Sequence, residues 1–205
     1  MEWLEMGGHS HTEAMIEMGR KLAMMHQWTP ADDYPGKHQF GWEINNTIGS
    51  TPQINTWTEN WAEFWANHRI GYQLKLAKKR GGHFDNAEVL IEKIPELLAG
   101  HQPKPSLVHG DLWGGNASVT ADGEAVIFDP ATYYGDREVD LAMTELFGSF
   151  SPAFYRGYDE LFPLDEGYAN RKTLYNLYHI LNHFNLFGGN YGSQANRMIQ
   201  QLLRE

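Results

Sequence analysis

The chain of 205 residues contains no cysteine, which excludes disulfides, thiolate nucleophiles and cysteine-held metals and fits a reducing compartment. No apolar run approaches the ~18 residues of a membrane helix. The opening MEWLEMGGHSH lacks the cationic stretch and apolar run of a secretory leader. Positive charge is scarce as well: 16 Lys and Arg stand against 26 Asp and Glu, for a formal net charge of −10. A nucleic-acid surface needs a basic footprint, so nucleic acid is not expected as a partner. A small phosphate ligand held by metal and backbone amides remains open. The expectation is a cytoplasmic, soluble protein without membrane or nucleic-acid partners.

Aromatic residues are abundant: seven Trp, ten Tyr and ten Phe. They predict an aromatic-rich core with room for an aromatic-lined pocket. Ser10 and Glu13 have capping-box spacing, and Met15, Met18, Leu22 and Met25 behind them step at helical intervals, predicting an amphipathic helix over 12–27. Residues 28–57 carry Pro, Gly and Asn with no sustained period and read as a long loop, unusual inside a compact domain unless it has a function. A second helix is expected from Thr58 to about Arg80, with Trp57, Trp61 and Trp65 on one core-facing stripe, and a third over 86–98 that Pro95 could kink. The period then changes to short strands at 106–108, 117–120 and 125–128, the last two joined by Ala121-Asp122-Gly123-Glu124 as a hairpin. Helices return at about 139–147, 151–161, 167–187 and 194–204. The fold class is therefore α+β, mostly helical, with polar loops on a small β-hairpin insert.

Those loops hold the chemistry. In SLVHGDLWGGN, Asp111 and Asn116 are five residues apart, and Asp129 follows Asp111 by eighteen, directly after AVIF. This is the layout of phosphoryl transfer: an Asp meets the substrate hydroxyl, an Asn holds metal, and a second Asp holds the metal on the ATP phosphates. Mg²⁺ is the expected ion, because a hard cation prefers carboxylate, amide and water oxygens. His109 reads as a hydrogen-bonding brace rather than a base. Asp136 suits a helix N-cap, and Asp140 could reach back to hold the catalytic loop. His179 and His183, four apart on a helix, lack a third ligand and read as packing or surface residues, and His9 and His11 as solvent-exposed.

HGDLWGGN, IFDPATYYGDREVDLAMTELFG and FGWEINNTIGSTPQINTW together resemble the fructosamine/ketosamine-3-kinase family, in the aminoglycoside-phosphotransferase-like branch of the protein-kinase-like fold. One departure is Gly114, where the family has Ser. The resemblance implies Asp111 as catalytic base, Asn116 and Asp129 as Mg²⁺ ligands, and Trp113 as a platform for the sugar. It also implies ATP as phosphoryl donor and a small-molecule or protein-bound ketosamine as acceptor, phosphorylated on its sugar 3-hydroxyl to release the amine. Residues 1–8 resemble the hinge between kinase lobes, with the backbone of Glu2 and Leu4 on adenine. Residues 9–205 resemble the C-terminal lobe, with catalytic loop 109–116 and metal loop 129–137. The long 28–57 loop would line the site with Trp42, Asn46, Thr47 and Gln53.

A kinase also needs a Gly-rich loop, a strand Lys and its Glu partner; none is found, and Lys21 on an amphipathic helix is a poor substitute. The expectation is a lobe without its N-terminal half, slow or inactive in phosphate transfer, exposing apolar side chains near Met1 to Met6 and able to self-associate through that face. Three alternatives stay open: another small-molecule kinase acting on an aminoglycoside or choline, a non-catalytic ketosamine-binding lobe, and a metal-dependent hydrolase.

Overall fold

The computed structural model describes residues 5–7, 12–31, 34, 36 and 38–204. Helix α1 (Thr12–Gln27) opens the described fold, and Met18 and Leu22 of its apolar stripe are buried. It crosses α6 (Pro152–Leu161) at very short range. The crossing depends on two glycines. A Cβ on Gly19 would stand 2.1 Å from the carbonyl oxygen of Phe154, and one on Gly157 would stand 2.0 Å from that of Ile16. This contact brings His26, at the end of α1, onto Tyr158 and the buried Asp140.

Within the expected 28–57 loop, residues 38–57 are more ordered than their composition suggests. They contain an antiparallel hairpin, β1 (Asn46–Ile48) and β2 (Thr51–Gln53), closed by Gly49 and Ser50, with Gly49 at φ 58°. Isolated bridges join Phe40 to Thr58 and Gly41 to Tyr134. The turn signal is a single Gly-Ser pair between three-residue strands, too short for alternation to register.

The second helix starts later than expected. Asn60 caps it, its Oδ1 accepting the amide of Glu63 at 3.0 Å, so Trp57 lies outside the helix and only Trp61 and Trp65 form the core stripe. α2 (Trp61–Phe64) runs into a π-helical stretch (Trp65–Gly71) and then α3 (Tyr72–Lys79). Pro95 is accommodated near the end of α4 (Ala87–Leu97), which continues past it.

Three two-stranded ladders carry the loops. β3 (Ser106–Val108) pairs with β6 (Tyr133–Gly135), a strand that the sequence pattern does not predict, and β4 (Ala117–Val119) pairs with β5 (Ala125–Ile127). Met6 bridges Thr120, and Ala121 N donates to the carbonyl of Glu5 at 2.8 Å, so the start of the described chain lies along this hairpin. Of the expected apolar face at Met1 to Met6, only Glu5 and Met6 are described, and Met6 is 42% exposed. Ser10, His9 and His11 lie outside the described residues.

α5 (Glu138–Leu146), α6, α7 (Tyr168–Phe187) and α8 (Asn190–Leu202) complete a mostly helical α+β fold. The larger core is aromatic: Phe64, Trp65, Tyr133, Tyr175 and Tyr178 are all 2% exposed or less. Among the described residues, no helix is long and apolar enough to cross a membrane.

Candidate active site

β3 and β6 run side by side, so the loop after β3 and the loop before β6 leave the ladder at the same end. The first is His109 to Asn116 and the second holds Asp129. They are joined along their backbones: Ala131 N donates to the carbonyl of His109 at 2.8 Å, and Phe128 N to that of Asn116 at 3.0 Å. Gly110 makes this approach possible. It sits at φ 82°, and a Cβ there would be 2.1 Å from the carbonyl oxygen of Ala131.

His109 is a brace. Asp111 N donates to its Nδ1 at 3.2 Å, which leaves the proton on Nε2, and Nε2 meets the carbonyl of Phe128 at 2.8 Å. One imidazole therefore ties the two loops together. Asp140 holds the same loop from below. Its Oδ2 accepts His109 N at 2.7 Å and its Oδ1 accepts Gly110 N at 2.8 Å. A carboxylate only accepts, so His26 Nε2, 3.0 Å from Oδ2, is the donor of that pair. Burial works against ionising Asp140, but His26, His109 and the Gly110 amide outweigh it and hold the carboxyl below its ordinary range.

Asn116 Nδ2 donates to the carbonyl oxygen of Asp111 at 2.9 Å and to its carboxylate Oδ2 at 3.3 Å. With the amide nitrogen facing Asp111, the carboxamide Oδ1 has no partner among the described residues. Asp129 is exposed, adopts a left-handed φ of 53°, and its carboxylate is likewise unpartnered among the described residues. Oxygen donors of this kind suit a hard divalent cation. Asp111 is partly buried, and that burial lifts its carboxyl above the ordinary aspartate range despite opposing pulls from His109, His183 and Asn116.

His179 lies on the other side of Asp111, Nδ1 to Oδ1 at 4.0 Å. Burial and the neighbouring His183 push its pKa down to about 3, so the ring is neutral and the contact is not an ion pair. His183 donates from Nδ1 to the carbonyl of His179 at 2.8 Å; a carbonyl only accepts.

An aromatic wall flanks the loop. Trp113 is 41% exposed, its ring 6.5 Å from Phe147; Phe147 lies 4.8 Å from His183, which lies 5.0 Å from Tyr191. His183, expected as a packing or surface residue, is part of this wall. No sequence signal could reveal it, because Phe147 directly follows α5 while His183 and Tyr191 stand on two other helices. Gly115 carries the Trp113 ring: a Cβ there would fall 2.2 Å from the indole, whereas one on Gly114 would meet nothing within 4 Å.

One expectation needs revision: Gln53 is 1% exposed and its amide is committed to protein groups, so it does not line the site. Asn46 is half-buried and donates to the carbonyl of Thr132, Trp42 is half-buried against Tyr134 at 5.4 Å, and Thr47 is exposed. Asp136 does accept the Glu138 amide at 3.1 Å, but it also binds Tyr175 Oη at 2.5 Å and His101 Nε2 at 2.7 Å. His101, Glu138 and Asp165 group within 4.8 Å, yet Glu138 is already held by Nε and Nη2 of Arg171, each at 2.7 Å, an internal ion network. Glu2 and Leu4 lie outside the described residues.

Comparison with known proteins identifies the family. The profile of the fructosamine kinase family matches residues 1–205. A protein assigned as a ketoamine kinase in Synechocystis sp. is 56% identical over 204 residues, covering 100% of this chain and 67% of its own length. A chloroplastic protein-ribulosamine 3-kinase of Arabidopsis thaliana is 44% identical over 209 residues, covering 100% of this chain and 61% of its own. The crystal structure of a protein assigned as a fructosamine-3-kinase in Haemophilus somnus superposes with a TM-score of 0.89 at 33% identity, covering 98% of this chain and 67% of the other. The chain thus spans about two thirds of the length of these relatives. It belongs to the fructosamine kinase family.

Proposed function

We propose that this chain carries the acceptor and metal side of an ATP-dependent kinase that phosphorylates the sugar 3-hydroxyl of ketosamines. The observation that carries this reading is the bond from Asn116 Nδ2 to Asp111 Oδ2. It orients the carboxylate and turns the amide oxygen of Asn116 away from it. Asp111 would accept the proton of the attacking hydroxyl, a role served by its raised pKa, since a stronger base takes the proton more readily. Trp113, on the exposed side, would stack on the apolar face of the sugar, with Phe147 and His183 behind it.

Asn116 Oδ1 and the Asp129 carboxylate would hold Mg²⁺, which when bound neutralises triphosphate charge. His109 and Asp140 touch neither substrate nor metal in this reading; they fix the loop on which Asp111 rides. Glu2 and Leu4 remain proposed adenine contacts. The acceptor is a free or protein-bound ketosamine, and phosphorylation next to the ketose carbonyl destabilises the adduct and frees the amine. The residues 1–8 hinge and 9–205 lobe assignment belongs to the same proposal, as does a cytoplasmic location, consistent with the lack of cysteine.

The test is phosphorus NMR of the chain with Mg·ATP and fructosyl-lysine, beside choline and an aminoglycoside under single-turnover conditions. The reading expects a phosphate ester on the sugar and none on the other alcohols. Transfer to choline or the aminoglycoside in preference, or no binding of fructosyl-lysine, would overturn it.

A further inference from the structure

The β1–β2 hairpin is chemically tied to the loop of Asp129 by side-chain amides. Asn46 Nδ2 donates to the carbonyl of Thr132 at 2.8 Å, and Gln53 Nε2 donates to the carbonyl of Ala131 at 2.9 Å. The two amides are themselves linked, Gln53 Nε2 to Asn46 Oδ1 at 2.9 Å. Asn55 Nδ2 adds a second donor to Asn46 Oδ1 at 2.8 Å, and Tyr178 Oη donates to Gln53 Oε1 at 2.6 Å. Behind them lies Arg69, fully buried under the rings of Phe64 and Tyr133 at 4.5 and 4.0 Å, donating to the carbonyl of Ile54 at 2.6 Å and to Asn55 Oδ1 at 2.9 Å.

The opposite side of the same loop is held too. Ala131 N bonds His109 O at 2.8 Å and Thr132 Oγ1 donates to the carbonyl of Val108 at 2.6 Å. Two residues upstream of Ala131 is Asp129, at a left-handed φ of 53°, a conformation uncommon outside glycine although Asp adopts it more readily than most residues. Asp129 itself has no side-chain bond to the protein among the described residues, so its direction is set by the backbone on which it stands.

We propose that Asn46 and Gln53 are positioning residues for Asp129: a two-amide clamp, backed by Arg69 through Asn55, that fixes the 131–132 carbonyls and so the aim of the carboxylate. This rests on Asp129 being a metal ligand. It assigns the NTIGSTPQ stretch to aiming that ligand rather than to contacting sugar. Groups that orient ligands from behind commonly change metal affinity tenfold or more when lost.

The test is Asn46→Asp, which keeps the acceptor for Gln53 and Asn55 but loses the donor to Thr132. Mn²⁺ affinity is read by the electron-spin resonance of free ion, and exchange of the 128–134 amides by mass spectrometry. The clamp expects faster exchange there and Mn²⁺ binding weaker by about tenfold, although the added negative charge alone would strengthen cation binding. Asn46→Ser, which shortens the reach without charge, should behave alike and serves if the aspartate variant does not fold. Ser50→Ala, in the exposed turn of the same hairpin, should change neither reading. Unchanged Mn²⁺ affinity in both Asn46 variants, with or without faster exchange, overturns the clamp. A native chain that binds no Mn²⁺ at all defeats the metal reading itself, and the clamp with it.

Discussion

Asp140 accepts the backbone amide of His109 at 2.7 Å through the same oxygen that meets His26 Nε2 at 3.0 Å. A helix that enters the fold early and a helix that follows the catalytic loop thus meet on one carboxylate. Asp140→Asn keeps one acceptor and sets an NH₂ group against a backbone or ring donor. The expected loss is about 2 kcal/mol, the scale for leaving a buried hydrogen-bond donor without its acceptor. Urea unfolding measures it, and a loss below about 0.5 kcal/mol would mean that the loop is held by other contacts.

The raised pKa of Asp111 makes a statement about pH. The base form exists only above the folded pKa, so phosphotransfer falls as pH drops through that value. The acid limb of kcat/KM should therefore lie above the ordinary aspartate range, about 3.9 for a free side chain. Asp111→Asn should lose about a hundredfold or more in kcat while keeping the fold. An acid limb at the ordinary aspartate position would contradict the burial argument.

His179 contributes to stability with the opposite history. Unfolded, it takes up a proton near pH ~6.5; folded, it stays neutral down to about 3. Between these values the unfolded chain binds the extra proton, so stability decreases as pH falls, by about 1.4 kcal/mol per pH unit from this one residue. His179→Asn should flatten the acid side of the stability–pH curve by that slope in chemical denaturation. An unchanged slope would show that the ring protonates without cost in the fold.

Gly114 and Gly115 are neighbours with different surroundings. A side chain at 114 meets nothing, so Gly114→Ser should alter stability by less than about 0.5 kcal/mol. At 115 a methyl group would collide with the Trp113 indole, which is exposed and can swing aside. Gly115→Ala should leave the melting temperature nearly intact but raise the KM for ketosamine several-fold, about 1 kcal/mol of lost stacking. Steady-state kinetics with both variants distinguishes the two; equal KM values would remove Trp113 from the acceptor site.

The proposed catalytic and metal-holding residues are legible because their spacing is local: five residues from Asp111 to Asn116, and a hairpin to Asp129. Asp140 can be read as a loop anchor because it follows on the next helix. What stays hidden depends on contacts across the chain. Gln53 meets Ala131 from 78 residues away, and His26 meets Asp140 from 114. Asn46 and Gln53 are polar residues in a Gly- and Pro-rich stretch, a pattern equally suited to touching sugar or bracing backbone. β6 escapes detection because YYG gives three residues without alternation, and its partner β3 precedes it by more than twenty.

The most direct measurement is paramagnetic broadening of the protein's NMR spectrum by substoichiometric Mn²⁺. Convergence of the two loops on one cation requires the backbone amides of 111, 116 and 129, with the Asn116 side-chain amide, to fade together before the rest. Broadening centred instead on His101, Glu138 and Asp165, or spread over the acidic surface without preference, would contradict it.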